Sequence, residues 1–99
     1  MARPALMVVY DDQQRLAELE QVLQRRFGAD YQILPAATPA AALDTLGRLR
    51  QDGEQVALVL ADQWLAGMTG VEFLCQAHEL HPTAKRVLAA PSQPVLAKP

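Results

Sequence analysis

The stretch Val56-Ala57-Leu58-Val59-Leu60-Ala61-Asp62 decides the fold. Its apolar residues run without polar alternation and stop at an acid, the pattern of a parallel strand buried on both faces. Toward the N-terminus, Ala5-Leu6-Met7-Val8-Val9-Tyr10 repeats that pattern and stops at Asp11-Asp12. Between the two runs, Leu16, Leu19, Leu23 and Phe27 recur at three- and four-residue spacing, with Arg15, Glu18, Gln21 and Arg25 on other faces. That periodicity predicts an amphipathic helix ending near Gly28. Residues 31–34 predict a short second strand. Thr38-Pro39 marks the next helix start, a hydroxyl at the N-cap and proline at the first helical position. Leu43, Leu46 and Leu49 line one face of this second helix, and Gly53 ends it. Beyond Asp62, a loop with Gly67 and Gly70 leads to a third helix capped by Thr69, with Val71, Leu74, Cys75 and His78 roughly on one side and His81-Pro82 at its end. Residues 86–90 predict a fourth strand. Strands alternating with helices imply right-handed crossovers and a doubly wound α/β fold: a mainly parallel sheet of four strands with three helices on its two faces.

Length and composition limit what such a chain can do. At 99 residues it is expected to form one domain, with a core over residues 1–90 and a segment 91–99 whose prolines Pro91, Pro94 and Pro99 exclude a useful helix. A chain this size buries roughly two-thirds of its unfolded surface. Hydrophobic residues make up 51% and charged residues 20%, a composition that folds rather than one that stays disordered. The net charge is -2 and the basic residues are scattered, which excludes a nucleic-acid footprint. No apolar run approaches the roughly 20 residues of a membrane span, and Met1-Ala2-Arg3 does not begin a signal peptide. A lone Cys75 forms no internal disulfide, fits a cytoplasmic location and is expected to be an inert core thiol. His78 and His81 lack a third ligand, so a helix-end role is expected for them.

In sheets of this class ligands bind beyond the carboxyl ends of the strands, where strand order reverses. Asp11, Asp12 and Asp62 all fall at such ends. If the first and third strands are neighbours these carboxylates converge, and two like charges about 4 Å apart cost roughly 4 kcal/mol at an effective dielectric of 20. A cation would relieve that cost. Hard oxygen donors that leave room for water and a phosphoryl group suit Mg2+ better than zinc. The alternative for each acid is a helix cap or polar turn.

The acidic ends, together with Gln63-Trp64-Leu65-Ala66-Gly67-Met68-Thr69-Gly70-Val71-Glu72-Phe73-Leu74 after Asp62, make the chain resemble the receiver domain of two-component response regulators, a flavodoxin-like fold. His81-Pro82-Thr83-Ala84-Lys85-Arg86-Val87-Leu88 continues the likeness, and Ala97-Lys98-Pro99 resembles the closing Lys-Pro of that family. The region Gln24-Arg25-Arg26-Phe27-Gly28-Ala29-Asp30-Tyr31 is similar to receivers fused to thioredoxin-reductase-like flavoproteins. The resemblance implies a signalling domain rather than a turnover enzyme. Asp62 would accept a phosphoryl group from a sensor histidine kinase or phosphotransfer protein, Asp11 and Asp12 would join Asp62 in holding Mg2+, and Lys98 would contact the phosphoryl group.

Several residues depart from the family pattern. Ala89 or Ala90 stands where the family has a switch Ser or Thr, and neither donates a hydrogen bond. Ala66 replaces the loop proline. The acidic pair has two registers, Asp11-Asp12 or Tyr10-Asp11, and Asp11 belongs to both. Seven residues separate Ala90 from Lys98, fewer than the roughly dozen that a parallel crossover needs. The family's fourth helix and last helix are therefore expected to be missing, which exposes apolar sheet to a homodimer or a strand-swapped oligomer. These departures favour a second expectation, a degenerate receiver acting as a phosphorylation-independent interaction module. A phosphohydrolase of the haloacid-dehalogenase type would want a second acid two residues after Asp62, where Trp64 stands. Trp64 would lid the pocket or pack on the loop.

Overall fold

A computed structural model describes residues 3–89. The expectations placed on Met1-Ala2, on Ala90 and on residues 91–99, including Lys98, lie outside that range. The elements run β1 (Ala5–Val9), α1 (Gln13–Phe27), β2 (Gln32–Ala36), α2 (Pro39–Gln51), β3 (Val56–Asp62), β4 (Trp64–Leu65), β5 (Met68–Thr69), α3 (Gly70–Leu80) and β6 (Lys85–Ala89). Strands β2, β1, β3 and β6 form one sheet in that order, all parallel. This is the expected doubly wound α/β architecture.

The two buried runs take the central places. Every residue of β1 is buried. Ala5, Met7 and Val9 point to one face, with Val59 and Ala61 of β3, against Leu46 and Leu49 of α2 and Phe73, Leu74 and Ala77 of α3. Phe73 is fully buried there and contributes about 1.5–3 kcal/mol by removal from water. Val8 and Tyr10 point to the other face, against Leu16 of α1. α1 covers that face less completely: Leu19 and Leu23 are half-buried, and Phe27 is 41% exposed. Pro35 is tolerated within β2 because β2 is an edge strand, where a missing N–H can face away from the ladder.

Helix ends follow the local chemistry read from the sequence. Thr38 caps α2 through its side chain, which accepts from the Ala41 N–H at 3.1 Å, with Pro39 in the first turn. At the far end Gly53 has φ +71°, and the Gly53 and Glu54 N–H groups donate back to the Arg50 and Leu49 carbonyls at 3.1 and 2.9 Å. This closes the last turn in the manner that favours glycine.

Three local expectations are corrected. The buried face of α3 is Gly70, Phe73, Leu74 and Ala77, while Val71, Cys75 and His78 are exposed. Phe73 sits in the deepest position, and the helix rotates to bury that ring. Cys75 is accordingly a surface thiol and not a core one. The segment after Asp62 is not a plain loop: β4 and β5 pair antiparallel, Trp64 with Thr69 and Leu65 with Met68, around Gly67 at φ +89°. A glycine at the second central position of a two-residue turn supplies the positive φ that such a turn requires. The strand bounds also shift, β2 by about two residues and β6 by one. His81 does take the expected helix-end role. It caps α3, is buried, and its Nε2 lies 2.8 Å from the Leu46 carbonyl. A carbonyl only accepts, so Nε2 carries the proton and ties α3 to α2.

Candidate functional site at the carboxyl ends of the central strands

Strand order reverses between β1 and β3: β2 lies on one side of β1, and β3 and β6 continue on the other. α1 leaves β1 on one face and α3 leaves β3 on the opposite face. A crevice opens at such a point because the two connections diverge.

Asp62 is the last residue of β3 and is half-buried at this crevice. Val9 is in register with Ala61, which sets Tyr10 beside Asp62 one step further on. The Tyr10 N–H donates to the Ala36 carbonyl at 3.2 Å, so β1 is held to β2 up to this residue. Tyr10 is 7% exposed, packed with Val8 and Leu16. Burial pushes its phenol above the ordinary value of 10.0, the Asp62 charge adds to the rise, and Arg15 offsets part of it. A tyrosine raised in the folded state contributes stability that is complete below the unfolded pKa and is lost as pH rises through the folded one. In a Tyr31→Phe background, ultraviolet titration is expected to show Tyr10 ionising above 10. The Asp62→Asn change should lower that midpoint, and an unchanged midpoint would mean that the two groups do not interact.

Asp11 follows Tyr10 and is exposed at the mouth of the crevice. Asp12 is placed differently. Its Oδ1 accepts from the Gln14 and Arg15 N–H groups at 3.0 and 3.3 Å, so it caps α1. One of the three acids thus has the capping role set out as the alternative. Among the described residues no group of three or more His, Cys, Asp and Glu is arranged to hold a metal. Asp11, exposed two residues past the end of β1, and Asp62, the last residue of β3, each present a hard oxygen donor beyond a central strand.

The segment after Asp62 holds that residue's backbone in place. The Thr69 side chain accepts from the Glu72 N–H at 3.1 Å while Glu72 Oε1 accepts from the Thr69 N–H at 2.9 Å, a reciprocal cap that fixes the start of α3. The Gly70 N–H donates to the Gln63 carbonyl at 2.8 Å. A Cβ on Gly70 would lie 2.1 Å from the Asp62 carbonyl oxygen, so only glycine lets α3 begin this close to β3. This role was not read from the sequence. Its signal is a glycine in the first turn of a well-capped helix, where glycine is otherwise unfavourable. Trp64 is 63% exposed. On the other side of Asp62, its register partner is Ala89, which places a methyl group there.

No protein-family model and no curated protein sequence matches the chain. Solved structures do. A CheY-like response regulator receiver domain protein from Methanospirillum hungatei JF-1 is 26% identical over 95% of this chain and 69% of its own, with a TM-score of 0.74. The signal receiver domain of an HD domain-containing protein from Pseudomonas fluorescens Pf-5 is 26% identical over 89% of this chain and 59% of its own, with a TM-score of 0.71. A Burkholderia pseudomallei response regulator, solved with a phosphorylated aspartic acid, a calcium ion and citrate, is 21% identical over 88% of this chain and 46% of its own, with a TM-score of 0.72. That last likeness shows the fold alone. The chain thus spans between about half and two-thirds of these relatives. Strand order, helix placement and these similarities make the chain a structural relative of the receiver domains of response regulators.

Proposed function

We propose that this chain is a phosphoacceptor receiver in which Asp62 takes a phosphoryl group from the phosphohistidine of a sensor kinase or phosphotransfer protein. The observation that carries the reading is Asp62 at the carboxyl end of a central strand, at the switch point between β1 and β3. In the transfer, an Asp62 carboxylate oxygen attacks phosphorus as the phosphorus–nitrogen bond to the donor imidazole breaks. The imidazole leaves with the electron pair and takes a proton from solvent. Asp11 and Asp62 fit Mg2+, which commonly takes one or two carboxylates and fills its other positions with water and phosphoryl oxygens. When bound, the ion neutralises charge that spreads over the phosphoryl oxygens. The Burkholderia relative, with calcium and a phosphorylated aspartic acid, supports a divalent ion at such a site. Asp12 has its oxygen committed to the helix cap and plays a lesser part, and Lys98 is proposed as a phosphoryl contact from the resemblance alone.

Phosphorylation with acetyl phosphate and magnesium is expected to add one phosphoryl mass to the wild type and none to Asp62→Asn. A titration of Trp64 fluorescence with magnesium and beryllofluoride should respond in the wild type and lose its response in the variant. Modification that persists in the variant would place the acceptor elsewhere.

A second reading is favoured by Ala89, whose methyl gives the phosphoryl group no hydroxyl partner, and by the phenol of Tyr10 beside Asp62. In it the chain keeps the fold as an interaction module and Asp62 is not phosphorylated. Absence of phosphoryl mass in the wild type, with magnesium present, would select this reading. Location in the cytoplasm is proposed with the first reading; no helix among the described residues is long and apolar enough to cross a membrane.

A further inference from the structure

The edge strand β6 carries a pattern that fits a second copy of itself. Among the described residues nothing pairs with its outer edge. Val87 is 38% and Leu88 40% exposed, one on each face of the sheet. On the α1 face, an apolar groove of about 280 Å³ lies between α1 and the sheet and reaches β6 at Lys85, lined also by Leu6, Leu23, Phe27 and Leu58. An edge that no described residue pairs with, carrying apolar residues on both faces, is a template for another strand.

Antiparallel self-pairing in one continuous sheet allows only a few registers, because residues opposite each other must share a face. Centring on Arg86 sets two guanidinium groups opposite each other, which is unfavourable. Centring on Leu88 pairs only three residues of β6. Centring on Val87 pairs all five: Val87 with itself, Arg86 with Leu88 and Lys85 with Ala89. No like charges then face each other.

This register has a consequence at the candidate site. Lys85, Val87 and Ala89 are in register with Leu58, Leu60 and Asp62 and share their face of the sheet. A lysine opposite Ala89 in the second copy therefore stands two strand spacings, about 9–10 Å between Cα atoms, from Asp62. In the sheet Ala89 lies between them, and its methyl is short enough for a lysine stem to bridge that gap. We propose that two copies of this chain pair through β6, antiparallel about Val87, and that Lys85 of each copy reaches Asp62 of the other. The Lys85 ammonium is a compact point charge suited to a carboxylate or to a phosphoryl group on it. Charge complementarity and register thus select a second copy as the occupant of this edge.

The proposal deepens the reading of Asp62 as the working carboxylate, but its test needs no phosphoryl donor, so its failure is distinguishable from failure of that reading. The full chain is examined by light scattering across micromolar to sub-millimolar concentrations, then treated with a zero-length carbodiimide cross-linker as a mixture of 14N- and 15N-labelled protein. A mass near twice the 10.8 kDa chain is expected. Mixed-isotope Lys85–Asp62 cross-linked peptides are also expected. Within one chain Lys85 is in register with Leu58, about 13 Å along the strand from Asp62, so an intrachain link is disfavoured. Val87→Lys, which sets two ammonium groups opposite each other, should give a monomer with unchanged circular dichroism and no mixed cross-link. Lys85→Gln should lose the cross-link. A monomer at every concentration, or a dimer without the mixed Lys85–Asp62 link, overturns the proposal. So does a folded Val87→Lys variant that still dimerises.

Discussion

Gly70→Ala is expected to lower stability by about 3 kcal/mol, at the top of the usual range for overpacking a filled site. For a domain of this size that corresponds to a fall in Tm of at least about 12 °C. The added methyl would meet the Asp62 carbonyl oxygen at 2.1 Å and the Leu88 Cδ1 at 2.7 Å. The leucine methyl can move aside. The carbonyl cannot, because it belongs to the backbone of a strand held by β1 on one side and β6 on the other. Relief therefore comes only by shifting α3 outward or by turning the end of β3. Either movement displaces Asp62, and either strains the bond from the Gly70 N–H to the Gln63 carbonyl. Any variant that remains folded should accept phosphoryl from acetyl phosphate more slowly than wild type. Gly67→Ala is the control: it lies in the hairpin turn, its added carbon would meet nothing, and its cost comes from φ +89° alone. A Gly70→Ala protein no less stable than Gly67→Ala would show that α3 and β3 are not in close contact.

The sequence made the fold legible because the signals that decide it are local and repeated. Val56-Ala57-Leu58-Val59-Leu60-Ala61 and Ala5-Leu6-Met7-Val8-Val9 read as buried strands by their length and flanking acids, although β3 proves half-buried at Leu58 and Leu60, and Thr38-Pro39 and Thr69 could be recognised as caps without knowing what the helices touch. Less legible was whatever depends on which neighbour presses hardest. On α3 an apolar stripe through Val71, Leu74 and Cys75 and one through Phe73, Leu74 and Ala77 both have helical spacing. The volume of Phe73 chooses between them. At the site, the positions of Asp11 and Asp62 follow from where the strands end. The capping role of Asp12 is local and was one of two open alternatives, whereas the approach of Tyr10 to Asp62 depends on register, which is a property of two strands rather than of one segment. The hairpin of β4 and β5 escaped notice because strands of two residues have no periodicity.

Tyr10→Asp is expected to make stability strongly dependent on magnesium. Tyr10 stands beside Asp62 and is buried, so the change puts a second carboxylate against the first and removes a ring that packs on Val8 and Leu16. Like charges about 4 Å apart cost roughly 4 kcal/mol at an effective dielectric of 20, and the lost packing adds to that. Against a total of roughly 5–15 kcal/mol for a chain of this length, the metal-free variant should lose a large part of its stability. The same change adds a hard oxygen donor to Asp11 and Asp62. A divalent cation that binds only the folded variant then stabilises it by about 2.7 kcal/mol at a hundredfold excess over Kd. Titration with magnesium in thermal melts should show a gain in Tm at least several-fold larger than in the wild type, and a variant that folds only with the metal reports the same affinity through its folding. Tyr10→Phe separates charge from shape. It keeps the ring, removes the hydroxyl and adds no carboxylate, so its magnesium response should match that of the wild type. If Tyr10→Asp gains no more from magnesium than Tyr10→Phe does, position 10 does not face the metal candidate. The phenol beside Asp62 would then be a packing feature of the α1 face rather than a part of the site.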